Sequence, residues 1–357
     1  MKRLSWLIFT VVFMLLLAIV ANAEYNIDTV ISDSAEYLLE NVSSPAVGSV
    51  GGEWTVIGLK RSGLDIENEY FDGYYDRVCA YVKEKNGVLH ERKYTEYSRV
   101  ILALTALGKD ARDVSGCDLT APLSDFDKTV YQGINGAIWA LIALDSGGYE
   151  GTEIRERYVE HILSLQLDDG GWSLLGKDGA DVSDIDITAM ALQALAPYRE
   201  DKRVSAAVDK ALECMSKRQL ESGGFESFSS VNSESSSQML VALCTLGISV
   251  DDKRFVKNGN TVADDIMSYY TGEGFMHVKD GKPDLMATEQ CFYALVAYKR
   301  AQNGESALYD MSDVICPGET GVPHEPSAVL PEKKSAAQTI AELAGMVYKM
   351  MLSVLVP

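Results

Sequence analysis

The sequence predicts an all-α chain folded as an α/α toroid of six helical hairpins, with a flexible C-terminal tail. Three observations carry this. A turn made of Gln, three residues, Gly-Gly and an aromatic recurs at Gln166 to Trp172 and Gln219 to Phe225, with degenerate copies at Gly272 to Phe275 and Gly51 to Trp54. Between the turns, apolar residues recur at helical spacing, and six such helices align on one small residue each: Gly58, Ala103, Ala140, Ala191, Ala242 and Ala294. No convincing alternating pattern of strand type appears. Small residues let helices crowd around a common axis, which favours a ring; an open solenoid is the alternative.

The first 23 residues read as a cleaved signal peptide. Lys2 and Arg3 precede an apolar run from Trp6 to Val20, and Ala21-Asn22-Ala23 fits a small-x-small cleavage site. The run is short for a membrane span, and no Cys follows Ala23 to carry a lipid. A secreted or extracytoplasmic location is therefore expected. The remainder of the 357 residues, 47% hydrophobic overall, is long enough for a substantial core. A net charge of -20 repels phosphate backbones, so nucleic acid is not expected as a partner. Six cysteines (Cys79, Cys117, Cys214, Cys244, Cys291 and Cys316) lie far apart, with no Cys-x-x-Cys pair or nearby His to suggest a zinc site. Export permits disulfides, but Cys214, Cys244 and Cys291 fall within apolar helical patterns that suit buried thiols.

Taken in order, the toroid spans 24–303. Each hairpin pairs an amphipathic outer helix with an apolar inner one: 27–41 with 54–63, 69–85 with 94–108, a short 119–126 with 132–145, 153–166 with 184–198, 202–219 with 234–247, and 262–270 with 285–300. The fourth hairpin shows why. Gly170 and Gly171 take backbone angles that end the outer helix, and Trp172 folds back as an anchor. The Asp184/Asp186 pair starts the inner helix by accepting its free N–H groups and meeting its positive dipole, and Pro197 stops it. Beyond the toroid, 304–335 carries Gly, Pro and Glu punctuation and reads as a linker. Residues 336–357 form an apolar, roughly helical segment whose Glu342 and Lys349 suit a packing or surface helix better than a span.

Five residues before each aligned small residue stand Glu53, Ser98, Asn135, Asp186, Ser237 and Glu289, all polar. In a closed toroid they converge at one mouth of the cavity, where helix N-termini focus positive dipole; the Ser and Asn members also suit simple capping. Asp184, Asp186, Glu53 and Glu289 would repel one another unless solvent, a proton or a cation compensates. An all-oxygen set suits calcium or magnesium, with Asp184, Asp186 and Glu289 as candidate ligands; no other cofactor is expected. Aromatic walls come from Trp54, Tyr97, Trp139, Trp172, Phe292 and Tyr293, although such side chains also build cores. The candidate ligand-binding set is therefore Glu53, Trp54, Tyr97, Asn135, Trp139, Glu289 and Phe292. The histidines (His90, His161, His277 and His324) are scattered and read as solvated or packing residues.

The stretch Gln166 to Trp172 resembles the QW repeat of the terpenoid cyclase and protein prenyltransferase superfamily, and the resemblance covers about residues 27–303. Asp184-Ile-Asp-Ile-Thr-Ala189 resembles the Asp-x-Asp-Asp-Thr-Ala acid motif of squalene-hopene cyclases, with Ile187 in place of its last Asp. The resemblance implies a toroid fold and, in a cyclase, Asp186 as the acid with Asp184 beside it. Ile187 gives Asp186 burial but no hydrogen-bond partner, and Thr188 is placed to donate to its carboxylate. Other features point away from catalysis: the chain has no room for the second helical domain of such cyclases, and export separates it from isoprenoid pools. A prenyltransferase zinc site would need an Asp-x-Cys pair and a His, where this chain has Asp184-Ile-Asp186 and no His near Glu289. The chain is also similar to the toroid domain of secreted cobalamin carriers, although its C-terminal segment is too short for their second domain. The expectation is a secreted, non-catalytic toroid that binds a small or lipidic ligand or a cell-surface protein. The alternative is a cyclase-like or prenyltransferase-like enzyme with a degenerate acid motif.

Overall fold

The first helix starts where Asn26 accepts the Asp28 N–H and buries one stripe of Val30, Ile31, Ala35 and Leu38. The computed structural model describes residues 26–176 and 182–314; the expected leader and the apolar C-terminal helix lie outside the described residues. Six outer helices, α1 (Ile27–Asn41), α3 (Asn68–Glu84), α5 (Phe126–Thr129), α7 (Thr152–Ser164), α9 (Lys202–Arg218) and α11 (Val262–Met267), alternate with six inner ones. The inner helices are α2 (Trp54–Arg61), α4 (Thr95–Ala106), α6 (Ile134–Ser146), α8 (Ile185–Leu195), α10 (Ser233–Thr245) and α12 (Leu285–Asn303). Each inner helix packs on the next and α12 packs on α2, so the ring closes into a toroid and not an open solenoid. All five aligned alanines are fully buried. Gly58 is small for a visible reason: a Cβ there would stand 3.0 Å from the Phe292 ring.

Two of the glycine-aromatic turns tie an outer helix to the next outer helix or to the loop before it. Gln166 Nε2 donates to the carbonyls of Gly170 (2.7 Å) and of Ala207 on α9 (2.8 Å), and Gln219 does the same to Gly223 and Phe255. Gly170 needs its φ of +100°, and a Cβ there would meet the Lys210 carbonyl at 2.7 Å. Trp172 is fully buried, its Nε1 donating to the Ile162 carbonyl at 2.7 Å. Its backbone N–H donates to Thr188 Oγ1 at 2.9 Å, and Phe275 repeats this bond to Thr288 at 2.9 Å.

Two local differences from the sequence expectation have simple causes. The third outer helix, expected over 119–126, is a 3₁₀ turn (Ala121–Ser124) followed by the one-turn α5. Pro122 removes a donor, and Asp125 leaves the helical region to cap α5 through the Lys128 N–H at 3.2 Å, so one helix becomes two pieces. Two short antiparallel strands, β1 (Glu226–Ser227) and β2 (Ser230–Val231), form a hairpin through Phe228 and Ser229, both at positive φ.

Residues 304–314 open the stretch that reads as a linker, yet they pack across the end of the ring where the inner helices finish. Leu308, Tyr309 and Met311 are buried, and the Met311 N–H donates to the Ser146 carbonyl at the end of α6 at 3.1 Å. Asp313 pairs with Arg61 of α2 and Arg300 of α12, each at 2.6 Å, across the seam where the ring closes. The five described cysteines are unpaired thiols, with Cys214 and Cys291 buried and Cys244 half-buried. No described helix is long and apolar enough to cross a membrane.

Candidate functional site

A cavity of about 550 Å³ opens at the end of the ring where the inner helices begin. Every inner helix, with its first turn or approach, turns two residues four apart toward it: Val50 and Trp54, Thr95 and Arg99, Asn135 and Trp139, Asp186 and Met190, Glu234 and Gln238, Met286 and Gln290. In α4, α6, α8, α10 and α12 this i, i+4 stripe is one face of the helix, while Val50 reaches the cavity from non-helical backbone before α2. Glu289 and Tyr293 add to the wall of α12, and His277 joins from the loop before it.

The stripe corrects the sequence alignment. In α6 and α8 the position five before the small residue, Asn135 and Asp186, does face the cavity. In α2, α4 and α10 the cavity residue is one position later, about 100° around the helix. Ser98 and Ser237 therefore point into the packing and bond back to the carbonyls of Tyr94 and Ser233. Glu53 is fully buried outside the cavity, accepting from the Gly48 N–H (3.1 Å), Tyr74 Oη (3.2 Å) and Arg99 Nε (3.2 Å). It fixes the 48–53 turn. Tyr97 accepts from the Leu89 N–H at 3.0 Å, and Phe292 is fully buried; neither lines the cavity.

Capping explains Asp184. Its Oδ1 accepts from the Ile187 N–H (3.0 Å) and its Oδ2 from Ser227 Oγ (2.7 Å), so both oxygens are committed. Glu289 accepts from the Gly51 N–H at 2.9 Å and from Thr55 Oγ1, stitching α12 to α2 while still facing the cavity. Burial pushes its pKa up to about 7, against the pull of Thr55 and Gly51. Among the described residues, no group of three or more His, Cys, Asp or Glu is placed to hold a metal ion. Asp184, Asp186 and Glu289 do not gather into the set that calcium or magnesium would need.

Asp186 differs from its neighbours. Its Oδ1 is buried and has no hydrogen-bond partner among the described residues. Burial first, then the charge of Asp184, push its pKa up to about 6, with hydrogen bonding by the Ser235 and Ser227 side chains opposing. Thr188 does not serve it, because that hydroxyl is spent on the Trp172 backbone. Asn135 Oδ1 is likewise buried without a partner.

Several site residues escaped the sequence reading. Counted from the helix caps Asp184, Asn232 and Asp284, the second helical position holds Asp186, Glu234 and Met286. Glu234 accepts from His277 Nδ1 at 2.8 Å. Gln238 Nε2 donates to Gln290 Oε1 (3.0 Å) and to Tyr293 Oη (2.6 Å). In α8, α10 and α12 the signal was present in the shared side-chain N-caps; α2 and α4 have none. Trp54 and Trp139 meet at 4.9 Å between ring centroids and form an indole wall, with Tyr309 behind both.

No family sequence profile matches the chain, and no curated protein matches it. Solved structures do match. The unsaturated glucuronyl hydrolase of Bacillus sp. GL1, responsible for glycosaminoglycan degradation, aligns with a TM-score of 0.53 at 14% identity, over 82% of this chain and 98% of its own. Candida albicans protein geranylgeranyltransferase-I aligns with a TM-score of 0.51 at 12% identity, over 78% of this chain and 92% of its own. The ent-copalyl diphosphate synthase of Streptomyces platensis aligns at 18% identity with a TM-score of 0.48, over 71% of this chain and 50% of its own. At these identities the first two likenesses show the shared α/α-toroid fold.

Proposed function

We propose that this protein takes a small, hydroxyl-rich polar ligand of the saccharide class into its central cavity. The observation that carries the reading is two buried acceptors without partners, Asp186 Oδ1 and Asn135 Oδ1, on a cavity stripe that also offers Arg99, Glu234, Gln238 and Gln290. Hydroxyl groups of a ligand would satisfy such atoms, while the C–H face of a sugar ring packs on the Trp54 and Trp139 indoles. A hydrocarbon would leave each buried acceptor unpaired, at about 1–3 kcal/mol. That weighs against a lipidic ligand and against squalene. The glucuronyl hydrolase of like fold handles a ligand of this chemistry.

An enzymatic reading is favoured by Asp186 lining the same cavity as the His277–Glu234 dyad. Asp186, with a pKa near 6, holds its proton in mildly acidic solution and serves as general acid. Glu234 takes the Nδ1–H of His277, which leaves Nε2 as the base. In hydrolysis, Nε2 takes a proton from the attacking water and Asp186 gives its own to the departing oxygen.

Tryptophan fluorescence titrated with unsaturated glucuronyl disaccharides and neutral oligosaccharides tests binding. Saturable quenching that Trp139→Ala abolishes is the expected result; saturation by squalene or a prenyl diphosphate instead would overturn the reading. Release of a reducing end, lost in both Asp186→Asn and His277→Ala, would establish turnover. Binding with no release from any sugar would leave a carrier.

A further inference from the structure

Each inner helix is entered at the cavity mouth by a loop or first turn, and each of the six approaches exposes a large apolar side chain. These include Val50 before α2, Val88 before α4, Tyr131 before α6, Leu175 before α8, Phe228 before α10 and Val278 before α12. Among the described residues, every exposed large apolar side chain lies on one of these approaches. The loops at the opposite end of the ring bury theirs, as Val114, Leu119, Val250 and Phe255 show.

Phe228 protrudes furthest. It is 87% exposed at the tip of the β1–β2 hairpin, with φ at +49°. A bulky residue in left-handed backbone is unfavourable, and here no packing offsets it. Where such strain is kept, function is the first place to look.

Charge does not divide the molecule in this way. The six approaches expose the cations Lys85, Arg92, Lys93, Lys279 and Lys282 against the carboxylates Glu91, Asp168, Asp169, Glu221, Glu226, Glu273, Asp280 and Asp284. The mouth is thus as acidic in proportion as the whole chain, with its 52 acidic and 32 basic residues, so the apolar tips and not charge would carry contact, and an anionic surface is disfavoured.

We propose that this apolar mouth docks peripherally on a lipid surface, with the cavity opening among the headgroups. A protein partner would need one continuous complementary patch. Tips carried on six separate approaches around an opening suit a fluid matrix, into which each inserts on its own. Because carboxylates outnumber cations beside the tips, the matching surface is a zwitterionic one rather than an anionic one. The attachment uses loop tips and no spanning helix among the described residues. It stands apart from the saccharide reading.

Flotation of the mature chain with phosphatidylcholine vesicles tests it. The wild type should float, and Leu175→Ser combined with Phe228→Ser should lower the bound fraction about tenfold or more. Both side chains are exposed, so the melting temperature of the double variant should match the wild type. Trp139→Ala should float unchanged whatever it does to ligand binding, which keeps the two readings separable. Failure of the wild type to float would overturn the proposal. So would a double variant that floats like the wild type, or one whose only change is lost self-association in sedimentation velocity.

Discussion

Asp186, Glu53 and Glu289 are carboxyls whose burial favours the protonated form, with pKa values pushed up to about 6, 7 and 7. Their values in the unfolded chain lie near 4, so each contributes stability that is complete below pH 4 and is lost as pH rises through its folded value. His161 works the other way, since burial lowers its pKa, but it is one group against three. The melting temperature should therefore fall between pH 5 and pH 8. Glu289→Gln, which keeps an acceptor for the Gly51 N–H, should flatten that fall; an unchanged slope would mean that Glu289 is ionised throughout. Trp172 belongs to a different class of residue. Fully buried, with its Nε1 bonded to Ile162, it should cost about 3–5 kcal/mol on replacement by Ala in urea unfolding. A loss near zero would show that the turn holds without its anchor.

At the scale of the element, most helices were legible because caps, glycines and apolar period agree. Ile27–Asn41 falls where the sequence puts it, and inner-helix ends differ by only a few residues. The failures have local reasons. Pro122 and Asp125 broke the third outer helix, and small-residue alignment slipped the cavity stripe by one position in three helices. Small residues report where helices crowd, whereas side-chain N-caps report where a helix begins; in α8, α10 and α12 the caps fix which side chains reach the mouth, but α2 and α4 have no such cap. His277 was unreadable for another reason: its partner Glu234 lies 43 positions away, and only the packing of α12 on α10 brings the loop before α12 onto α10. The cap itself is testable. Asp184→Ala should cost about 1–2 kcal/mol, since it frees the Ile187 N–H and leaves Ser227 Oγ without its acceptor. Asp186→Asn, which removes a disfavoured charge, should be neutral or stabilising at pH 8. If the two variants behaved alike, the assignment of cap and cavity carboxyl would be wrong.

At the scale of the whole molecule, closure of the ring is a joint made at both ends of α12. Near its start, Glu289 reaches the Gly51 N–H and Thr55; near its finish, Arg300 donates to the Arg61 carbonyl and shares Asp313 with Arg61. Tyr309 lies between these seams, 7% exposed, with ring centroids 6.2 Å from Trp54 and 5.8 Å from Trp139. The segment 304–314 thus backs the indole wall of the cavity from the far end of the ring. Its polar and turn-rich composition looks like a linker because only Leu308, Tyr309 and Met311 are spent on burial, too few to give a helical or strand period. Tyr309→Ala should destabilise the fold by about 3 kcal/mol, as the loss of a buried aromatic does. It should also shift tryptophan emission to the red and raise its quenching by acrylamide, because Trp54 and Trp139 would then be wetted from behind. A tail that is only a linker would leave stability and emission unchanged, and the cavity would then be open at both ends.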